Sequence, residues 1–134
     1  MPSLVLCLKL AGLGQLVLAL ASLAIPRVLG WREETRRLSP LTREVFWTYA
    51  VYIWVTNVAL GLTSLLLAEE LASRAPLARA VTAYALVYWG VRLALQLLSF
   101  GKHAPPGRRF KVAEALLVQL FVFLSAVYAW ATFT

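Results

Sequence analysis

The sequence predicts an all-α integral membrane protein with four transmembrane helices in an up-down-up-down bundle. Four apolar stretches, at roughly 4–25, 45–68, 79–100 and 112–133, are each near the ~20 residues that cross a hydrocarbon core about 30 Å thick. Of the 134 residues, 61% are hydrophobic and 14% are charged, where a soluble domain is about half apolar and a quarter charged. The basic residues flank the apolar stretches instead of forming a polar domain of their own. In lipid each backbone N–H and C=O must be satisfied within its segment, so each stretch is expected to be a helix. A membrane β-barrel is excluded, because no stretch alternates polar and apolar residues as its strands require.

The first stretch carries an Ala19-Leu20-Ala21 triplet of the kind that follows a signal segment. However, no basic residue precedes its apolar run, Lys9 lies within it, and three more spans follow. It is expected to be a retained first helix. Leu4-Val5-Leu6-Cys7 has the look of a lipidation box but comes too early in the chain. Cys7 is the one cysteine, so there is no disulfide frame, and it reads as a small apolar residue.

Residues 26–44 hold Pro26, Pro40 and most of the polar residues of the first half. Within them, Arg32-Glu33-Glu34-Thr35-Arg36-Arg37 suits a short interfacial helix with opposite charges at helical spacing. Ser39-Pro40 predicts a helix start, with Ser39 as N-cap and Pro40 at the first position. Residues 69–78 read as a tight turn around Pro76. Residues 101–111 contain the breakers Gly101, Pro105, Pro106 and Gly107. Aromatics gather near span ends: Phe46, Trp47 and Tyr49 on the second span, and Tyr128, Trp130 and Phe133 on the fourth. They read as an interfacial belt.

The net charge of +7 does not point to nucleic acid, given how the basic residues are distributed. It sets orientation instead. The first loop carries Arg27, Arg32, Arg36, Arg37 and Arg43, and the third carries Lys102, Arg108, Arg109 and Lys111. The opposite side has Arg74 and Arg79, with Lys9 near the N-terminus. The positive-inside rule therefore expects an inner-membrane protein with loops 26–44 and 101–111 in the cytoplasm and both termini outside. Arg108, Arg109 and Lys111 are expected to touch anionic lipid as well.

A polar level lies inside the spans. Helical spacing groups Ala11, Gly12, Gln15, Ala19 and Ser22 on the first span, and Ala50, Asn57, Gly61 and Ser64 on the second. It groups Tyr84, Tyr88, Arg92, Gln96 and Ser99 on the third, and Ala115, Gln119 and Ala126 on the fourth. Small residues and amides suit helix–helix contact, so these four faces are expected to point inward. At about 1.5 Å per residue, Arg92 lies roughly 12 Å from the cytoplasmic end of its span, Gln119 about 9 Å, Gln15 about 15 Å and Asn57 about 18 Å. No carboxylate shares that level. Glu44 and Glu114 sit at the cytoplasmic boundary on other faces, and Glu69 and Glu70 at the far surface. A cation at mid-span costs at least about 2.5–3.5 kcal/mol. That cost can be met by snorkelling to lipid phosphate, by a water-filled cavity, or by an anionic ligand held bidentately.

The candidate ligand-binding set is thus Arg92, Gln96, Gln15, Asn57, Gln119 and Tyr88. No catalytic triad, paired catalytic carboxylates, metal cluster or cofactor motif can be read, and no metal or cofactor is expected. Gly12 and Gly14 lack the strand–turn–helix setting of a phosphate loop and read as packing glycines. His103, the only histidine, reads as a solvated loop residue. The first span offers Gln15 where proton-coupled cation exporters of this size need a carboxylate, and there are too few cysteines for disulfide chemistry. The expected function is a non-catalytic membrane subunit or scaffold with a polar layer around Arg92. The alternative is a small transporter or binding protein for an anionic or amphipathic compound. A lipid- or quinone-acting enzyme using His103 or Glu114 comes third. Membrane lipids are the expected partners, with a second copy or a larger membrane complex beside them, since a unit this small would need to dimerise to form a pathway.

Overall fold

The structure is a computed structural model and describes residues 2–98 and 107–134. The described residues form seven helices: α1 (Pro2–Ser22), α2 (Ile25–Val28), α3 (Trp31–Thr35), α4 (Pro40–Leu66), α5 (Ala68–Leu71), α6 (Pro76–Leu98) and α7 (Arg108–Phe133). Four of these segments are long and apolar enough to cross a membrane: Ser3–Val28, Pro40–Leu66, Pro76–Leu98 and Arg108–Phe133. The fold is therefore an all-α four-helix membrane bundle.

Local chemistry sets the helix ends. Ser39 caps α4, its Oγ accepting the Thr42 N–H at 3.3 Å, and Pro40 follows at the first helical position. This start lies five residues ahead of the apolar run at 45, because the cap and not the hydrophobicity decides where a helix begins. Of the segment 32–37, expected as a short helix, residues 32–35 are helical in α3, which enters from Gly30 in the left-handed region at φ 65°. Arg43 reaches back from α4 and donates from Nε to Thr35 O at 3.1 Å and from Nη2 to Leu38 O at 3.3 Å. It thereby satisfies carbonyls at the end of α3.

Two boundaries differ from the sequence reading. The segment 69–78 is not a simple turn around Pro76. It begins within α5, which buries Ala68 and Leu71, then passes Arg74 at φ 66°, and Pro76 opens α6. α7 starts at Arg108, so Arg108, Arg109 and Lys111 form its first turn and do not belong to a loop. The expectations for Ser99, Gly101, Lys102, His103, Pro105 and Pro106 lie outside the described residues.

α1 packs along α4, α6 packs along α7, and α1 against α7 joins the two pairs. α5 lies across α1 and α6. α4 and α6 share no comparable interface among the described residues, so the spans follow one another round the bundle as α4, α1, α7, α6. The core runs down α1 through Leu4, Leu8, Ala11, Gln15 and Ala19. This spacing of threes and fours keeps one face turned inward. At the α1–α4 crossing Gly12 and Gly61 meet: a Cβ built on Gly12 would stand 2.5 Å from Gly61 O and 2.6 Å from Leu65 N. No side chain fits there, and the two backbones touch.

The expected inward faces of α1 and α4 are the buried ones, while those of α6 and α7 need correction. α6 buries Ala78, Thr82, Ala85, Trp89 and Gln96, leaving Tyr84 exposed and Tyr88 and Arg92 on the flank. The small residues Ala78, Thr82 and Ala85 are what let α7 approach. α7 buries Phe121, Leu124, Val127, Tyr128 and Ala131, and Ala115, Gln119 and Ala126 are on its exposed side. Large side chains, Phe121 and Tyr128 among them, decided the face of α7, and on α6 Trp89 joins small residues and Gln96 on the buried face.

Candidate functional site

At the level of Gln15 the four spans are tied together by one hydrogen-bonded group. Gln15 on α1 has no exposure to solvent. Its Nε2 donates to Ala11 O at 3.2 Å and to the Tyr128 hydroxyl of α7 at 2.6 Å. Its Oε1 accepts the indole N–H of Trp89 on α6 at 3.0 Å. The Tyr128 hydroxyl also bonds Ser64 Oγ on α4. Each span supplies one member, and both amide protons of Gln15 are used. Below Tyr128, Thr132 donates to the Tyr128 carbonyl at 2.7 Å and stands 3.0 Å from Thr82 Oγ1 on α6.

Arg92 sits beside this group, not at its centre. Its Nη1 donates to Gln96 Oε1, one turn further along α6, at 3.1 Å. Its guanidinium carbon lies 4.9 Å from the ring centroid of Phe121 on α7, within range of a cation–π contact. Phe121 in turn stacks on Trp89, with centroids 5.6 Å apart and an interplanar angle of 25°. The charge therefore meets a neutral amide oxygen and the negative face of a ring. Trp89 connects both arrangements, through its N–H to Gln15 and its face to Phe121.

The six residues picked from the sequence do not form one lining. Gln15 belongs to the four-span group, and Arg92 pairs with Gln96. Tyr88 reaches out toward α4, its hydroxyl 3.5 Å from Ile53 O. Asn57 is buried on α4, and its Oδ1 has no hydrogen-bond partner among the described residues. Gln119 lies on the exposed side of α7, away from the others. Trp89 and Tyr128 are the members missed. Tyr128 was placed in the interfacial belt, yet it is among the largest fully buried side chains. Its signal was the spacing Phe121, Leu124, Tyr128, Ala131, a continuous helical stripe. Trp89 sits thirteen residues after the start of α6 at Pro76, too deep in its span for a belt tryptophan.

Buried amide, hydroxyl and indole groups bonded to one another position helices but hold no nucleophile with a base beside it. Among the described residues no three His, Cys, Asp or Glu side chains converge. Glu114 is half-buried in the second turn of α7, and His103 lies outside the described residues. No family model, curated protein or solved structure matches this chain.

Proposed function

We propose that the chain is a small multi-pass inner-membrane protein that performs no chemistry itself and serves as a subunit or scaffold in a membrane assembly. The observation that carries this reading is the closure of the Gln15–Tyr128–Ser64–Trp89 group. Its polar atoms answer one another, so the group fixes which faces of the four spans meet. Buried polar residues that are satisfied internally serve helix register, and a ligand would have to break those bonds to enter. Segments 26–44 and 101–111 are cytoplasmic in this proposal and both termini outside, following the basic residues.

Purification in mild detergent after crosslinking within the membrane tests the proposal. The expected result is a second membrane protein, or a second copy, recovered in fixed proportion. The Arg92→Leu variant is expected to fold and to retain that partner. Saturable flux of an organic anion through liposomes holding the purified chain alone, abolished by Arg92→Leu, would overturn it.

One observation favours a second reading, a binding protein or transporter for an anionic or amphipathic compound. Arg92 is only partly buried and lies beside Tyr88 and Gln96, on the side where α4 and α6 lack an extensive interface. The liposome measurement separates the two readings.

A further inference from the structure

The first loop forms a cleft of about 360 Å³ lined by Arg32, Thr35, Arg36, Arg43 and Trp47. Three of its five lining residues are arginines, and no carboxylate is among them. Two of the arginines have donors to spare. The Arg32 guanidinium makes no hydrogen bond or ion pair among the described residues. Arg43 commits Nε and Nη2 to the carbonyls of Thr35, Arg36 and Leu38, which leaves Nη1 without a bond among the described residues. Those carbonyl bonds hold the Arg43 guanidinium in place before anything binds, so little side-chain freedom is lost on binding.

The third arginine, Arg36, faces Glu33 at 3.3 Å, but both side chains are more than 70% exposed. A solvated pair of this kind is weak and yields to a stronger anion. The wall is equally fixed. Trp47 donates its indole N–H to Thr35 Oγ1 at 3.4 Å. Its ring is held edge-to-face by Trp31 at 5.9 Å and by Phe46 at 5.7 Å. Thr35 is buried and donates to Trp31 O at 2.7 Å.

We propose that this cleft is a binding site for a phosphate group, taken from the headgroup of an anionic lipid. Guanidinium forks match phosphate oxygens two at a time. The location points to the lipid as the source. Trp31, Phe46 and Trp47 mark the depth at which aromatic residues meet headgroups, and the cleft opens beside them where α4 leaves the apolar region. The proposal does not depend on the scaffold reading, because no member of the four-span group lines the cleft.

The test uses the purified full chain in detergent, titrated with dioctanoyl phosphatidic acid, dioctanoyl phosphatidylcholine or inorganic phosphate, with thermal unfolding as readout. The expected result is a saturable rise in Tm with phosphatidic acid and none with phosphatidylcholine. Arg32→Gln with Arg36→Gln weakens that binding at least tenfold. Arg74→Gln with Arg79→Gln removes the same charge around the start of α6, away from the cleft, and leaves it unchanged. Both substitutions leave Arg43, whose side chain bonds the carbonyls at the end of α3, and neither the Arg32 nor the Arg36 side chain bonds a backbone group, so the variant keeps the fold. A rise with inorganic phosphate equal to that with phosphatidic acid would retain the phosphate site and overturn the lipid source. No rise with either, or equal weakening by the two double variants, would overturn the site.

Discussion

At the residue scale the most consequential group is the Tyr128 hydroxyl, which two other spans address at once. Removing it in Tyr128→Phe keeps the ring and its packing but leaves Gln15 Nε2 and Ser64 Oγ short of a partner. Hydrogen bonds between membrane helices are worth about 0.6–2 kcal/mol each, and an orphaned buried group costs about 1–3 kcal/mol. Tyr128→Phe is therefore expected to lose about 2 kcal/mol, read by reversible unfolding in mixed micelles. Adding Ser64→Ala should cost less in that background than in the wild type, because its partner is already gone. Additive losses would show that the two groups do not act together. Asn57 makes the opposite case. Its Oδ1 is buried with no partner among the described residues, so Asn57→Leu, which keeps the volume, is expected to be neutral or stabilising within about 1 kcal/mol. A loss greater than about 2 kcal/mol would show that the amide is satisfied in the membrane after all.

At the scale of elements, α1 and α4 cross where two glycines meet, and α6 has a glycine, Gly90, with open space where a Cβ would stand. Gly12→Ala places a methyl group 2.5 Å from the Gly61 carbonyl oxygen, so the helices must separate, at about 1–3 kcal/mol of overpacking. Gly90→Ala meets no atom within 4 Å and is expected to be neutral or to gain up to about 1 kcal/mol of helix propensity. The two variants, compared by the same unfolding measurement, should differ in sign or by at least about 1 kcal/mol. Equal behaviour would mean that the crossing is looser than drawn. This pair also shows what could be read from the chain. Gly12, Gln15, Asn57, Gly61 and Ser64 announced the α1 and α4 faces, because small and amide residues have little reason to face lipid. On α6 and α7 the same rule chose Arg92 and Gln119. There the deciding contacts were Trp89 on Phe121 and Tyr128 on Gln15, made by aromatic residues whose polar tips suit a belt as well as a core. Composition does not separate those two uses, and only packing partners do. The polar layer was therefore legible as a layer, but two of its four members were not.

At the scale of the whole molecule, four long apolar segments joined by short polar ones leave little choice of architecture, which is why the bundle could be read from composition alone. Orientation is a weaker preference, set by arginines and lysines at the span ends. Arg27, Arg32, Arg36, Arg37 and Arg43 precede or open the second span, and Lys102, Arg108, Arg109 and Lys111 precede or open the fourth, giving nine on that side against Lys9, Arg74 and Arg79 on the other. Single cysteines placed by Glu34→Cys and Ala75→Cys, in a Cys7→Ser background, report the two sides. Both positions are exposed, and neither side chain makes a hydrogen bond or ion pair among the described residues. In intact cells stripped of any outer barrier, an impermeant maleimide is expected to label position 75 and to reach position 34 only after lysis. Replacing Arg27, Arg32, Arg36, Lys102, Arg108 and Arg109 by glutamine leaves Arg37, Arg43 and Lys111, three against three. The same spans then have no charge reason to enter one way, and both positions should label in part from outside. Labelling of position 34 before lysis in the parent chain would reverse the orientation. An unchanged pattern in the neutralised variant would mean that the spans themselves, not the flanking charges, decide how the chain enters the membrane.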